Sequence, residues 1–458
     1  MKYLIIGGGV AGTTVAENLR FFDEAAQVTL VSATETVKKV LNLQQAGEII
    51  KSFDVVDSIP NTRDYDFFCD EVVDCDLVNR TVSLRSRKTI SYDRLCIATG
   101  ARPNIIYSAV PHVFGIRDTE SVVQLQCKLQ DCKHITIVGN GGIASELVFA
   151  ANSCHITWVI KDATISTTFV DSVASKFLLD SLAAANYSSD ETKEVPVIKR
   201  QIYSTTVKHN TAGFQGSALG PDWYNGLSLK GKSLDKKLDI KYCSEIESVS
   251  HTPDAEFNLN IKLRSGALIE TDALISATGV VPNSQMFSKK LNISHSDKGI
   301  VVDKQMQTSH PGVYAAGDVC HIPWSCSENW KQMRLWTQAL QQGFYLARTM
   351  TAADDDENSL GPDISFEMFT HSTKLFGFKV ILLGRYHEWE GCECYFRITS
   401  GVEYIKLVVS NGRVQGALLI GETELEEVME NLILNQLDIS QLGESILDPN
   451  VDIDDYFD

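Results

Sequence analysis

Glycines recur at two places in this chain in a spacing suited to phosphate chemistry. Gly7, Gly9 and Gly12 in YLIIGGGVAGTTVAENL (3–19) satisfy G-x-G-x-x-G, and Gly139, Gly141 and Ala144 in HITIVGNGGIASELVF (134–149) satisfy G-x-G-x-x-A. In such a loop the first glycine permits a tight turn. The second lacks a side chain, so a pyrophosphate can approach the backbone. The third small residue lets the following helix pack closely on the strand. That helix presents free N–H groups and the positive end of its dipole to the phosphates. The chemistry implied is the binding of two dinucleotides.

Each loop needs a strand before it and a helix after it, and the sequence supplies both. YLII is a short apolar strand, TTVAENLRFF continues as a helix, and QVTLVS (27–32) is the next strand; HITIV and HITWVIKD (155–162) repeat the pattern. An acidic residue at the end of the second strand usually holds the ribose hydroxyls. Ser32 stands there in the first unit, with Glu35 three residues on. Ile160 stands there in the second, followed by Lys161, suited to the extra phosphate of NADPH, and Asp162, suited to NADH. Both alternatives stay open. Two further segments, YDRLCIATGARP (92–103) and TDALISATGVVPN (271–283), share an acidic residue, an apolar strand, Ala-Thr-Gly and a proline. Each follows its own fingerprint at about the same distance, as an internal repeat would. TSHPGVYAAGDVC (308–320) carries Gly317-Asp318.

Together these motifs resemble the two-dinucleotide-binding-domain flavoproteins of the pyridine nucleotide-disulphide oxidoreductase superfamily, over residues 1 to about 445. The resemblance implies an α/β fold with two Rossmann-like dinucleotide-binding domains, one inserted in the other, plus a C-terminal α+β domain. The FAD-binding domain would span 1–115 and 285–350, the NAD(P)H-binding domain 116–284, and the interface domain 364–446. It implies FAD at Gly7, Gly9, Gly12, Ser32, Thr99, Gly100, Arg102, Gly317 and Asp318. It implies NAD(P)H, the reductant, at Gly139, Gly141, Ala144, Glu146, Lys161 and Gly279. Hydride would pass from nicotinamide to flavin. SCSENWKQMRLWTQALQQGFYLA (325–347) reads as one long helix, with Ser325 and Glu328 at capping-box spacing; the resemblance aims its N-terminus at the flavin. Lys38 and Lys39 read as surface lysines within reach of the flavin.

Two features of the superfamily are missing. Its redox cysteines follow the second strand of the FAD domain, yet residues 33–50, ATETVKKVLNLQQAGEII, contain none. The C-terminal His-Pro-Thr motif is absent, and His371 in THSTKL reads as an ordinary histidine. Cys320, directly after Gly-Asp, is the remaining candidate redox residue. Cys127 and Cys132 fall in a helix, and Cys392 and Cys394 point the same way on a strand; the plain reading of all these is free thiols.

The composition, 44% hydrophobic and 22% charged, is that of a soluble globular protein, without an apolar run long enough for a membrane span. A strand starting at Tyr3 leaves no room for a signal peptide, so a cytoplasmic or nuclear location and reduced cysteines are expected. A net charge of −18 argues against direct nucleic-acid binding. An insertion at about 186–237 is locally basic: nine Lys or Arg against four Asp or Glu between Lys193 and Lys241. Residues 351–363 read as a linker. The acidic tail 447–458 carries Val451, Ile453, Tyr456 and Phe457, suited to docking in a partner's basic cleft. Several stretches, GIRDTES (115–121) and QMRLWTQA (332–339) among them, resemble one animal member of the family. Its association with a tRNA ligase complex makes that complex the leading candidate partner.

Overall fold

The computed structural model describes residues 1–187, 223–224, 227–233, 235–253, 255–352, 362–451 and 453. Two five-stranded parallel sheets form its centre. In the first, the order is Val313–Ala315, Arg94–Ile97, Lys2–Ile6, Gln27–Ser32 and Asp66–Cys69. In the second, it is Val113–Gly115, Ala273–Ser276, His134–Val138, His155–Val159 and Lys237–Lys241. In each, the fingerprint strand lies between the Ala-Thr-Gly strand and the second strand of its own unit. Each unit also has a three-stranded antiparallel sheet, starting at Val72–Asp76 and at Ile246–His251. The repeat in the sequence is thus a repeat in topology. Near-continuous apolar runs such as Tyr3–Ile6 and Ile156–Val159 are buried, as strands covered on both faces require.

Six α-helices are described: α1 (Val10–Phe22), α2 (Thr119–Leu129), α3 (Gly142–Ala150), α4 (Ser172–Tyr187), α5 (Trp336–Thr351) and α6 (Glu426–Asn435). α1 and α3 follow the two glycine loops. α5 crosses α1 closely: a Cβ on Gly343 would stand 2.7 Å from Thr14 Cβ and 2.9 Å from Ala11 O. The chain crosses between the two units twice, and the crossings pair: Ala101–Pro103 lies antiparallel to Val280–Pro282.

The C-terminal region is an antiparallel sheet in the order Thr370–Leu375, Phe378–Gly384, Arg413–Ile420, Glu403–Ser410, Glu393–Thr399, with α6 packed on it. Asn411 and Gly412, both with positive φ (50° and 68°), make the tight turn read from the sequence. The sheet docks on the two parallel units by different means. Glu430 of α6, 2% exposed, accepts hydrogen bonds from the backbone N–H groups of Ile49 and Ile50, at 3.1 and 2.9 Å, and from that of Glu48. Lys406, 1% exposed, instead reaches Asp171 at 2.7 Å, and Asp171 accepts the Val173 and Ala174 N–H groups at the start of α4.

The structure corrects four expectations. The long helix begins at Trp336, eleven residues later than expected, and the Ser325–Glu328 capping box does not form. Residues 325–334 stay outside the helix, with a turn at 328–329, and side chain–backbone bonds hold the stretch: Gln338 Oε1 accepts Met333 N at 2.8 Å, Gln338 Nε2 donates to Lys331 O at 2.7 Å, and Gln332 Oε1 accepts Ile322 N at 2.8 Å. Glu328 pairs instead with Arg385, at 2.9 Å. Lys38 is not a surface lysine: its side chain is 4% exposed, and its ammonium lies 2.9 Å from Asp57 and 3.3 Å from Thr119 Oγ1. Cys132 lies beyond the end of α2, while Cys127 lies within it. In the tail, Val451 and Ile453 pack on the C-terminal core because apolar area there is better covered than exposed, which removes them from the proposed docking segment. Tyr456, Phe457, most of the basic insertion and most of the linker lie outside the described residues.

Candidate functional site

The backbone at the two glycine loops dictates their composition. Gly7 has φ +119° and Gly139 φ +129°, conformations costly for any side chain. A Cβ on Gly7 would stand 2.1 Å from Ala98 O, and one on Gly139 2.1 Å from Ala277 O. Each therefore lies against the alanine of its own unit's Ala-Thr-Gly. Gly12 packs against Gly7 O, where a Cβ would come to 2.0 Å. Gly9 and Gly141 are the reverse case: nothing stands within 4 Å of where their Cβ would lie. That open space is the cradle a pyrophosphate needs.

α1 starts at Gly9, α3 at Gly141 and α5 at Leu335 as N-cap residues, and in none of the three does a side chain cap the first turn. α2, by contrast, is closed by an Asp118–Ser121 capping box. All three uncapped N-termini open on one cleft of about 1170 Å³. Its walls include Gly9, Gly100, Gly317 and Asp318 on one side and Gly139, Gly141, Glu146, Lys161 and Gly279 on the other. Unsatisfied helix N–H groups converging on one space make an anion site. The chain thus fits a flavin dinucleotide at the first fingerprint and a nicotinamide dinucleotide at the second, both on one cleft.

Several expected residues support the cleft from behind. Ser32 is buried beside the first loop, its Oγ 2.9 Å from Thr34 Oγ1, and Glu35 is exposed. Thr99 and Asn283 exchange hydrogen bonds, Thr99 Oγ1 to Asn283 O at 3.1 Å and Asn283 Nδ2 to Thr99 O at 2.9 Å, and Arg102 reaches Pro282 O at 3.4 Å. These contacts clamp the paired crossings. Ala144 is fully buried at the start of α3. Glu146 is buried and accepts the Trp223 indole N–H at 2.7 Å. Ile160 is buried in the second core, whereas Lys161 is exposed on the cleft wall.

Other cleft residues carried no spacing rule to reveal them. Arg117 pairs with Asp318 and donates from Nε to Ala101 O at 3.0 Å. Arg334 donates from Nε to Asp318 O at 2.8 Å and pairs with Asp297 at 2.6 Å. Although burial opposes it, hydrogen bonds from Arg334, the Gly299 N–H and His321 hold the Asp297 carboxyl well below the usual range. Asn140, between the two glycines of the second loop, donates to Asp162 Oδ2 at 2.7 Å and to Thr164 O and Thr167 Oγ1, both at 3.0 Å. Its Oδ1 accepts the Ser166 N–H. Asp162 is thereby fixed at the mouth of the second cradle.

Cys320, the candidate redox residue, lies in the interior. Cys320 is 0% exposed, and its thiol is pushed up to about 12 by burial. Its Sγ lies 3.1 Å from Gly317 O and 3.4 Å from Gln342 Oε1. A buried protonated thiol is inert. His371 is fully buried in the cleft wall, its Nδ1 3.1 Å from Thr337 Oγ1, between the rings of Phe169 and Trp336. Burial lowers its pKa to about 3, so it stays neutral.

Comparison with known proteins agrees with this geometry. A family model described as pyridine nucleotide-disulphide oxidoreductase matches residues 1–211 and 229–343. The human pyridine nucleotide-disulfide oxidoreductase domain-containing protein 1 is 39% identical over 497 residues, covering 100% of this chain and 98% of that protein. The Drosophila melanogaster protein of the same name is 39% identical over 470 residues, covering 100% and 99%. Among solved structures, the covalent putidaredoxin reductase–putidaredoxin complex superposes with a TM-score of 0.67 at 16% identity, over 98% of this chain and 96% of that one. Water-forming NADH oxidase from Lactobacillus brevis gives 0.63 at 16%, over 96% and 92%. FAD, with NAD(P)H as reductant, is the cofactor set these relationships carry. The paired fingerprints, their shared cleft and these full-length matches place the chain in the pyridine nucleotide-disulphide oxidoreductase family.

Proposed function

We propose that the chain is an FAD-dependent NAD(P)H oxidoreductase whose electrons leave the flavin without passing through a cysteine pair of its own. The carrying observation is that both cradles open on one cleft and that, among the described residues, no cysteine lines it. When bound, FAD accepts hydride from reduced nicotinamide and returns electrons to an acceptor. The residues of the chain do the positioning. The first turns of α1 and α3 bind the two pyrophosphates. Arg117 and Arg334 fix Asp318 from both sides. α5 directs its N-terminal dipole into the cleft, where it stabilises negative charge. With both groups bound on one cleft, such positioning would lower the barrier by on the order of several kcal/mol.

The carboxylate of Asp162 lines the cleft next to Lys161, and an added phosphate would meet its charge. That supports NADH as the preferred reductant. Rapid-mixing spectroscopy tests the proposal. NADH should bleach the oxidised flavin, and a quinone or oxygen should restore it equally well after all accessible thiols are blocked with N-ethylmaleimide. Loss of reoxidation on thiol blocking would overturn it.

The alternative is a redox-linked flavoprotein that holds a protein partner such as a tRNA ligase complex. It draws on the basic insertion and loses support from the tail, since Val451 and Ile453 are packed within the chain.

A further inference from the structure

The basic insertion reaches back to the cleft near its C-terminal end. Among its described residues, Trp223, Tyr224 and 227–231 follow one side of α3 in order. The Trp223 indole N–H donates to Glu146 Oε2 at 2.7 Å. The Tyr224 ring meets the Phe149 ring edge-on, with centroids 6.3 Å apart. A turn then forms, in which the Leu227 N–H donates to Tyr224 O at 3.1 Å. Beyond it, Leu229 O accepts the Asn152 N–H at 2.8 Å, and the Gly231 N–H donates to Asn152 O at 2.9 Å. Glu146, Phe149 and Asn152 are spaced by three, which is one helix face continued just past the end of α3. The far end of this strap is fixed by close packing: a Cβ on Gly231 would stand 2.7 Å from Cys132 O, Ser153 O and Cys154 Cβ.

The near end stands in the cleft. Trp223 is half-buried, Glu146 is 5% exposed, and both line the cleft on the side of the second glycine loop. A carboxylate only accepts hydrogen bonds, so its orientation decides which donors of a ligand it meets. The indole N–H is a neutral donor, and it orients the carboxylate without itself cancelling the charge. A hydrogen bond to an ionised group is also stronger than one between neutral groups. Because the strap is anchored along α3, the indole is in place before a ligand arrives, and no ordering of it is left for the moment of binding.

We propose that Trp223 is a positioning residue for the nicotinamide substrate: it holds the Glu146 carboxylate where the N–H and O–H donors of the nicotinamide nucleoside reach it. This rests on the oxidoreductase reading of the cleft and goes beyond it, because it gives the insertion a part in substrate binding. Docking of a protein partner on the insertion needs no contact with Glu146.

The FAD-loaded full chain carrying Trp223→Phe tests this, since phenylalanine keeps an aromatic ring and lacks the N–H. Calorimetric titration with NAD+, which needs no electron transfer, should show binding roughly tenfold weaker than in the wild type. The KM for NADH should rise by a similar factor, while kcat stays within about twofold. Flavin content, the visible spectrum and the melting temperature should match the wild type, which reports that the variant is folded. Glu146→Ala should weaken NAD+ binding as well, and adding Trp223→Phe to it should cost less than about twofold more, because Trp223 acts through Glu146. Equal NAD+ affinity in the wild type and Trp223→Phe would overturn the proposal. So would a further loss of roughly tenfold on adding Trp223→Phe to Glu146→Ala. A wild type that binds NAD+ but is not bleached by NADH would overturn the oxidoreductase reading alone, and the binding comparison would still decide the role of Trp223.

Discussion

The two glycine loops share a backbone and differ in how they are finished. Around the first, the surrounding groups close in and pair with one another: Ser32 bonds Thr34, Gly343 brings α5 onto α1, and Arg117 and Arg334 hold Asp318 in the wall. Around the second, polar and charged groups stay at the rim: Asn140 holds Asp162, Lys161 is exposed, and Glu245 pairs with Arg264 at 2.6 Å. The first loop is built for a group that stays, and the second for one that comes and goes. The same cradle serves residence or exchange according to what covers it.

The sharpest test inserts the same side chain at the matching open position of each loop. Gly9→Val should give colourless protein, because FAD no longer seats. Gly141→Val should stay yellow yet raise the KM for NADH at least about tenfold, ~1.4 kcal/mol of binding. At neither position does the added Cβ meet a protein atom within 4 Å, so both variants should fold. Visible spectra and initial rates read the outcome, and loss of FAD in both variants would erase the distinction between the loops.

The two regions are also anchored differently. Lys406→Met leaves Asp171 buried without its cation and should lower stability by about 3–5 kcal/mol in urea unfolding. The Asp171 carboxyl is held below its ordinary value, against the effect of burial, chiefly by the Lys406 bond and the Ala174 N–H. Its stabilisation is therefore present at neutral pH and is lost as pH falls through the acid range. The Lys406 pKa is raised by Asp171 and Glu388 despite burial, so its share disappears only as strongly alkaline pH is reached.

His371 touches both regions, through Thr337 on α5 and Phe169 beside the second loop. Between about pH 6.5 and about 3 the unfolded chain binds a proton there that the native chain does not. Stability should therefore fall as pH drops across that window, by about 1.4 kcal/mol per unit at most. His371→Gln should flatten this part of the profile in pH-dependent melts.

The smallest expected effect is Asp162→Asn. Removing one charge from the second rim should move the NADPH-to-NADH ratio of kcat/KM toward NADPH by roughly fivefold, about 1 kcal/mol. An unchanged ratio would place selectivity elsewhere.

What the sequence revealed of all this was the part that is local. Gly7, Gly9 and Gly12 could be read because their spacing is itself the geometry of the turn. The doubled Ala-Thr-Gly could be read because a repeat in sequence became a repeat in strand order. Arg117 and Arg334 could not be found that way. Their partner, Asp318, lies 201 positions from Arg117, and only folding brings them together. The start of α5 was missed because helical spacing says nothing about Gln332 and Gln338, whose amides hold the preceding backbone outside the helix. Lys38 was misread as a surface lysine because its counter-charge, Asp57, lies on the other strand of a hairpin.

The paired crossings have a consequence for dissection of the molecule. Pro103 and Val280 are register partners in the antiparallel pair, so the chain leaves the first unit and returns to it at adjacent points, about 5 Å apart. A two-residue hairpin turn spans that gap. The whole of 104–279 is therefore a cassette: cut out and replaced by Asn-Gly, it would leave a shorter chain that keeps Gly7, Gly9 and Gly12, holds Asp318 through Arg334 without Arg117, and has lost the means to be reduced by nicotinamide.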